Sequence, residues 1–379
     1  MISPAAWFFR VLMVAFVVWL SGAANIAEAQ TRFFRTHPQS QYVEIGQTVI
    51  LTVGLGGGQP SSYQWQKNGV SIPGATDVRL TLAVTNEADA GNYSIVVGDR
   101  FGSESSAPAV LYMSRIANFS VRASVGPDAP SITLGHGIAG RGSVALLRAV
   151  GPALAQFGVQ NGLIDPRITV ARTFPASSND GWSNGPNAPQ IADEGRRLGA
   201  FPLAAKSADA AIFSAFDGVA FSAEAGSVSN GNGIVLFELY HADLTRTNRL
   251  VNVSARARIR TRDDKLTAGF VLVGKTKTTL LIRAVGPSLA AFGVIGLISD
   301  PNLELFRVGT GEPLARNDNW GGNVDLLSAF PAVGAFPLAS VDSKDAVLLV
   351  TLEPGEYSAQ VAGVGSSLGE VLIEIYLLQ

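Results

Sequence analysis

The chain contains no cysteine. That excludes disulfides, thiolate metal sites, a cysteine nucleophile and lipid attachment through a cysteine, so its folded parts rest on apolar cores alone. Histidine is almost as scarce: His37, His136 and His241 are the whole supply. None lies near another metal-ligand type at useful spacing, and none recurs in the internal repeat described below, which argues against a zinc enzyme or a Ser-His-Asp hydrolase. Charge is thin as well, with Asp, Glu, Lys and Arg making up 15% of 379 residues and a formal net charge of −2. A near-neutral chain lacks the field needed to hold a nucleic-acid backbone, so nucleic acid is excluded as a partner of the whole protein. Carboxylate pairs for glycoside hydrolysis stay open, because any two acids can meet in space.

After residue 30 no apolar run is long enough to cross a membrane. Before it, Arg10 precedes the apolar run Val11 to Leu20, and Ala27-Glu28-Ala29 places small residues at the two cleavage-defining positions. Residues 1–29 therefore read as a secretory signal peptide, and the expected mature chain is exported to the cell envelope or the extracellular space without a membrane span. The apolar run is too short for a comfortable retained anchor.

Glycine and proline are plentiful, at 41 and 19 residues, as expected of short strands joined by tight turns. Over residues 30–113 the segment Tyr63-Gln64-Trp65-Gln66-Lys67-Asn68-Gly69 reads as a strand ending in an Asn-Gly hairpin turn. Further strands are expected at Leu80-Thr81-Leu82, around Tyr93-Ser94-Ile95 and at Ala109 to Met113. This set, with Asp89-Ala90-Gly91-Asn92-Tyr93, resembles the I-set immunoglobulin domains of bacterial secreted and surface proteins. The resemblance implies that Trp65 is the core tryptophan, that Tyr93 forms a tyrosine corner, that Asp89 pairs with Arg79, and that Val53 and Ile95 occupy the two cysteine positions. Two aliphatic side chains fill that inter-sheet space by burial, at about 2 kcal/mol each, so loss of the cross-link is compatible with the fold.

The rest of the chain is a duplication. Arg148-Ala149-Val150-Gly151-Pro152 recurs as Arg283-Ala284-Val285-Gly286-Pro287, Gly199-Ala200-Phe201-Pro202-Leu203 as Gly334 to Leu338, and Glu238-Leu239-Tyr240 as Glu374-Ile375-Tyr376. The spacing stays close to 135 residues, much too long for a solenoid, so residues 114–243 and 244–379 are expected as two tandem domains. In the second copy, strands are expected at 250–259, 267–273, 279–285, 302–307, 346–352, 357–363 and 370–378, with one helical turn after Arg283 and no long helical period. The fold class expected is all-β: an immunoglobulin-like sandwich followed by two β-sandwich or jelly-roll-like domains. The paired strings resemble an uncharacterised tandem β-domain of secreted proteins from environmental bacteria, which implies a compartment and no activity.

Several motifs bear on binding. Gly135-His136-Gly137-Ile138-Ala139-Gly140 matches G-x-G-x-x-G but lies before a strand, so a glycine-rich hairpin is the better expectation than a phosphate loop. The loops Asn179-Asp180-Gly181-Trp182 and Asn317-Asp318-Asn319-Trp320 combine oxygen donors with a tryptophan. Asp180, Asp318, Asn319 and Asp325 are candidate calcium ligands, although such runs more often make Asx turns. Trp182 and Trp320 are candidate sugar-stacking platforms, or alternatively covers for the end of a sandwich. Arg256, Arg258, Arg260 and Arg262 alternate with smaller residues, which puts them on one face of a strand. That stripe suits an anionic polysaccharide or lipid head group, or protects an exposed edge strand. The expectation drawn from all this is a non-enzymatic adhesion or binding protein. Its partner would be a glycan or a surface protein; the alternatives are a carbohydrate-binding pair or a structural spacer, and oligomeric state stays open.

Overall fold

The computed structural model describes residues 32–378 apart from 44–45, 58, 86–88, 114, 140–141, 171–176, 217–219, 243–248 and 275–276. The expected signal peptide lies outside the described residues.

The first domain is built from β1 (Phe34–Thr36), β2 (Gln41–Val43), β3 (Thr48–Thr52), β4 (Gly54–Leu55), β5 (Ser62–Lys67), β6 (Val70–Ser71), β7 (Arg79–Ala83), β8 (Gly91–Asp99), β9 (Gly102–Ser105) and β10 (Ala109–Met113). One sheet runs β2-β10-β8-β5-β6, with β9 also on β8, while β3 pairs β7 and β1 pairs β4. Alternation does the folding: Val49 and Leu51 of β3 and Tyr93, Ile95 and Val97 of β8 turn inward and share one core with Trp65. Trp65 is fully buried, and its indole N–H donates to the Asp77 carbonyl at 2.9 Å. The Tyr93 hydroxyl donates to the Asp89 carbonyl at 2.8 Å, which is the tyrosine corner. Burial first, then the Asp89 carboxylate, push the Tyr93 hydroxyl up to about 12. The Asp89 carboxylate accepts from the Thr85 N–H at 2.7 Å. Val53 and Ile95 are both buried in this core, where a disulfide would otherwise sit.

The first copy of the repeat supplies β11 (Arg115–Val125), β12 (Ser131–Ala139), β13 (Ser143–Val150), β14 (Pro166–Val170), β15 (Ser177–Asn179), β16 (Ala210–Phe216), β17 (Ala220–Ser227) and β18 (Gly233–His241). The second supplies β19 (Arg249–Ile259), β20 (Leu266–Val273), β21 (Thr278–Val285), β22 (Pro301–Arg307), β23 (Ala315–Asn317), β24 (Ala346–Leu352), β25 (Gly355–Gly363) and β26 (Gly369–Leu378) in the same order. In the first copy β16-β13-β18-β11 form one sheet and β15-β14-β17-β12 the other, and the second copy repeats both orders. Two four-stranded antiparallel sheets wound in this order make a jelly roll.

The two jelly rolls share their sheets. Strand β11 pairs β18 on one side and β20 of the other copy on the other, with Phe119 opposite Phe270. Strand β12 pairs β17 and, across the repeat boundary, β19, with Leu134 opposite Ala255. Each sheet thereby continues from one copy into the next, and a single buried core runs through both, including Phe119 and Leu134 of the first copy and Ala255 and Phe270 of the second.

Two features depart from the sequence reading. Residues Gly135 to Ala139 lie inside β12 instead of a hairpin or phosphate loop. A Cβ on Gly135 would stand 2.8 Å from the Ser254 hydroxyl, so the glycine serves close strand approach. Short helices also appear where no helical period was expected: α1 (Ala188–Arg197) and α2 (Val324–Ala332). The turn after Arg283 is a 3₁₀ helix, Pro287–Phe292, matched by Pro152–Phe157 in the first copy. These helices cover the outer sheet faces, giving satellite cores around Leu146 and Tyr240 in the first copy and Leu281 and Tyr376 in the second.

Two outcomes follow. His136 is buried on β12 beside the Phe221 ring at 4.0 Å, and burial pulls its imidazole down to about 4 from 6.5. The unfolded chain therefore binds a proton between those values that the folded chain refuses. Stability is full above about pH 6.5 and falls by about 3 kcal/mol on acidification to pH 4. Urea titrations at pH 7 and pH 4 should show that loss shrinking in His136→Phe. Second, a chain cut to residues 114–243 leaves the outer edges of β11 and β12 unpaired. It should form a two-fold dimer in which β11 of each copy meets β12 of the other. Light scattering after size exclusion reads the mass directly, and a stable monomer would show that these edges tolerate water.

Candidate functional site

Strands β13 and β18 present Arg148 and Glu238 on the outer face of their sheet, directly opposite each other. Both are almost fully buried, with Arg148 Nε 3.1 Å from Glu238 Oε2 as an ion pair off the hydrogen-bond axis. The Tyr240 hydroxyl donates to Glu238 Oε1 at 2.9 Å, Arg148 Nη1 donates to the Phe201 carbonyl at 2.7 Å, and the guanidinium lies 4.2 Å from the Phe201 ring centre. Burial raises the Glu238 carboxyl, with Arg148 opposing, and burial plus the Glu238 charge hold the Tyr240 hydroxyl well above its ordinary range.

The second copy builds the same network. Arg283 Nε donates to Glu374 Oε2 at 2.9 Å, Nη2 donates to the same oxygen, Nη1 donates to the Phe336 carbonyl at 2.6 Å, and the Tyr376 hydroxyl donates to Glu374 Oε1 at 2.7 Å. Here every guanidinium nitrogen is engaged. In the first copy Arg148 Nη2 is buried without a hydrogen-bond partner.

The two copies differ at one further place. Helices α1 and α2 occupy equivalent positions, since the Ala200 N–H donates to the Gly195 carbonyl at 2.8 Å and the Ala335 N–H donates to the Phe330 carbonyl at 2.9 Å. Phe330 is buried against Trp320, ring centres 5.7 Å apart, and Arg283 lies 5.2 Å from its ring centre. At Gly195 that benzyl group is missing, and a cavity of about 320 Å³ opens among Arg148, Trp182, Ile191, Gly195, Phe201 and Leu203. A Cβ at Gly195 would meet only Leu146 at 3.8 Å and Ala200 at 4.0 Å, so the room is real.

The residues singled out in the sequence fall elsewhere. Trp182 and Trp320 are 9% and 5% exposed, and their indole N–H groups donate to the Ala204 and Ser340 carbonyls, each at 3.0 Å. With faces packed in the satellite cores they offer no platform to a sugar; Trp182 contributes instead one wall of the cavity. The Asn179 carboxamide oxygen accepts from the Gly181 and Ala211 N–H groups, and that of Asn317 accepts from the Val347 N–H at 2.9 Å, so these asparagines tie each loop to the next strand. Asp180 pairs with Arg167 at 3.1 Å on the surface, and Asp318 is exposed. Asn319 gives its carbonyl to the Asn317 side-chain amide, and Asp325 stands in the first turn of α2, its N–H capped by Asn323. Among the described residues no group of three or more His, Asp or Glu is placed to hold a metal ion.

Arg256 and Arg258 do face outward while Ala255 and Ala257 face the core. Their strand is central, flanked by β12 and β26, so they guard no edge. They lie 4.0 and 3.9 Å from Glu370, and Arg260 pairs with Asp128 at 2.8 Å.

A second exposed feature escaped the sequence reading. The β8–β9 hairpin turns through Arg100 and Phe101, with the Phe101 N–H donating to Asp99 Oδ1 at 2.8 Å. Phe101 is 71% exposed, and Arg100 and Arg32 lie 4.5 and 5.5 Å from its ring centre. An aromatic residue in a two-residue turn, where small or polar residues are usual, was the available signal.

An immunoglobulin domain model matches residues 33–98. Similar solved structures include the tandem Ig repeats of Dlar at 25% identity, covering 23% of this chain and 48% of that one with a TM-score of 0.20. The N-terminal Ig1-2 module of the Drosophila receptor protein tyrosine phosphatase DLAR is 28% identical, covering 21% and 44% with a TM-score of 0.19. The N-terminal four Ig domains of a Dscam1 isoform are 26% identical, covering 20% and 19% with a TM-score of 0.19. The chain spans less than half the length of these structures. No curated protein matches it. No helix among the described residues is long and apolar enough to cross a membrane.

The satellite cores predict an asymmetry. Phe330→Ala should destabilise the protein by about 3–5 kcal/mol, the usual range for deleting a buried phenyl group. Gly195→Phe should be neutral or stabilising, because it fills a space that exists. Denaturant midpoints of the two variants test the pair.

Proposed function

We propose that the chain is an exported, non-enzymatic adhesion or binding protein of the cell envelope or extracellular space, engaging a surface glycan or surface protein through the tip of its immunoglobulin-like domain. The observation that carries this reading is Phe101, held out on a tight hairpin between two arginines. Arginine and aromatic side chains are enriched among the hot spots of protein interfaces, and here the two types stand together on one turn. The hairpin keeps the ring on a rigid sheet end, so little ordering remains to be done on contact. The N-terminal sequence pattern supports export. Sugar stacking on Trp182 and Trp320 is no part of this reading, since both indoles are packed.

The test is binding of the full chain to arrays of envelope glycans and envelope proteins, read by interferometry. Saturable binding that weakens by about 30-fold in Phe101→Ala, with an unchanged melting temperature, is the expected result. Absence of saturable binding on both arrays would leave the structural spacer as the better reading.

A further inference from the structure

Beyond adhesion at the first domain, we infer that the cavity of the first repeat is a binding site for a small, uncharged single-ring aromatic molecule. Three observations converge on it. The second repeat shows what the space accepts: the Phe330 ring, tilted against Trp320 and within 5.2 Å of the Arg283 guanidinium. The first repeat keeps the equivalent tryptophan and guanidinium, Trp182 and Arg148, and lacks the ring, because α1 carries Gly195 at that position. A ligand ring therefore finds an apolar, aromatic-lined slot already shaped by the fold, at the lower end of the volume range of ligand pockets.

Arg148 forms one wall. Its side chain is 3% exposed, Nε stands 3.1 Å from Glu238 Oε2, and Nε and Nη2 are both shielded from solvent. The duplicate Arg283 turns the corresponding nitrogens to Glu374 Oε2 and still lies beside the Phe330 ring. A ring in the first cavity meets the Arg148 guanidinium in the same cation–π arrangement. Arg196 also lines the cavity, its guanidinium 3.2 Å from Asp193 on the exposed face of α1. Both guanidinium groups are thus already paired with carboxylates, and the site calls for no charge on the ligand.

The experiment titrates the full chain with benzyl alcohol, phenol and 4-methylphenol, alongside benzoate and cyclohexylmethanol, by calorimetry and by tryptophan fluorescence. The expected result is one site per chain for at least one of the neutral aromatic compounds, with Kd on the order of 0.1–1 mM, and binding at least about tenfold weaker for benzoate and for the saturated alcohol. Gly195→Phe should abolish that binding while the fold is retained, and Gly195→Leu serves as a second filler should the phenyl group prove too large. Trp182→Phe should remove the fluorescence change and leave the calorimetric stoichiometry at one. No binding of any neutral aromatic compound up to about 10 mM would overturn the inference. So would binding undiminished in both filler variants, or cyclohexylmethanol binding as tightly as benzyl alcohol.

Discussion

A guanidinium withdrawn from water on the outer face of a sheet governs the architecture of each repeat. Such a charge is tolerated only with a carboxylate at close range, acceptors for its remaining donors and a cover that keeps water out. The register of β13 with β18 supplies the carboxylate, since Glu238 stands directly across from Arg148. The segment around Phe201 supplies a carbonyl acceptor and an aromatic face. Helix α1 and the Trp182 loop complete the cover. The strings repeated in the sequence are therefore parts of one network: the arginine before Gly-Pro, the phenylalanine of Gly-Ala-Phe-Pro-Leu, and the glutamate and tyrosine of the closing strand. Asp209 and Asp345 extend it. Each is fully buried and accepts from the backbone N–H of the glycine that opens its 3₁₀ helix, Gly151 at 2.9 Å and Gly286 at 2.8 Å.

Sheet sharing between the copies solves a different problem. A jelly roll with long first and second strands, β11 and β12 in the first copy, at the open side of its sheets presents unpaired N–H and C=O groups along both. Here each copy covers the other's edges, and the apolar faces merge into one core. The copies are thereby bound to fold together, while their outer faces, away from the shared core, remain free to diverge. The satellite cores have diverged in this way: that of α2 is filled by Phe330, and that of α1 is left open at Gly195.

Much of this was legible in the sequence, for physical reasons that can be named. Short β-branched or aliphatic runs bounded by Gly, Pro, Asn or Asp located seven of the eight strands of the second copy to within about two residues, and the three-residue β23 was too short to give such a run. The Trp65 and Tyr93 assignments held because they depend on local spacing along two strands, and the aliphatic pair Val53 and Ile95 lies in the core as the missing cysteines would. What failed was long-range. Alternating arginines on β19 look the same whether the strand is at an edge or in the middle, and only its pairing with β12, more than a hundred residues earlier, makes it central. Trp182 and Trp320 sit in polar strings, yet α1 and α2 fold over them. Those helices are about three turns long and draw their stability from packing, so their periodicity carried little signal.

The candidate cavity illustrates a more useful kind of legibility. Nothing in either copy alone marks it: a glycine near the end of a short helix is ordinary, and so is a buried phenylalanine. Aligned through the Gly-Ala-Phe-Pro-Leu strings, however, Gly195 and Phe330 fall on the same position, and the structure shows that position to be the space beside a tryptophan and a buried arginine. A duplicated domain thus carries its own control. The filled copy gives the shape and chemistry of the occupant, and the open copy keeps the surroundings. If the gap were neutral drift in packing, the neighbouring side chains would be free to relax into it, because large-to-small changes are least costly where a site can collapse. Instead the cavity stays open between Trp182, Ile191 and Phe201, walls held by the same hydrogen bonds that hold their counterparts in the closed copy.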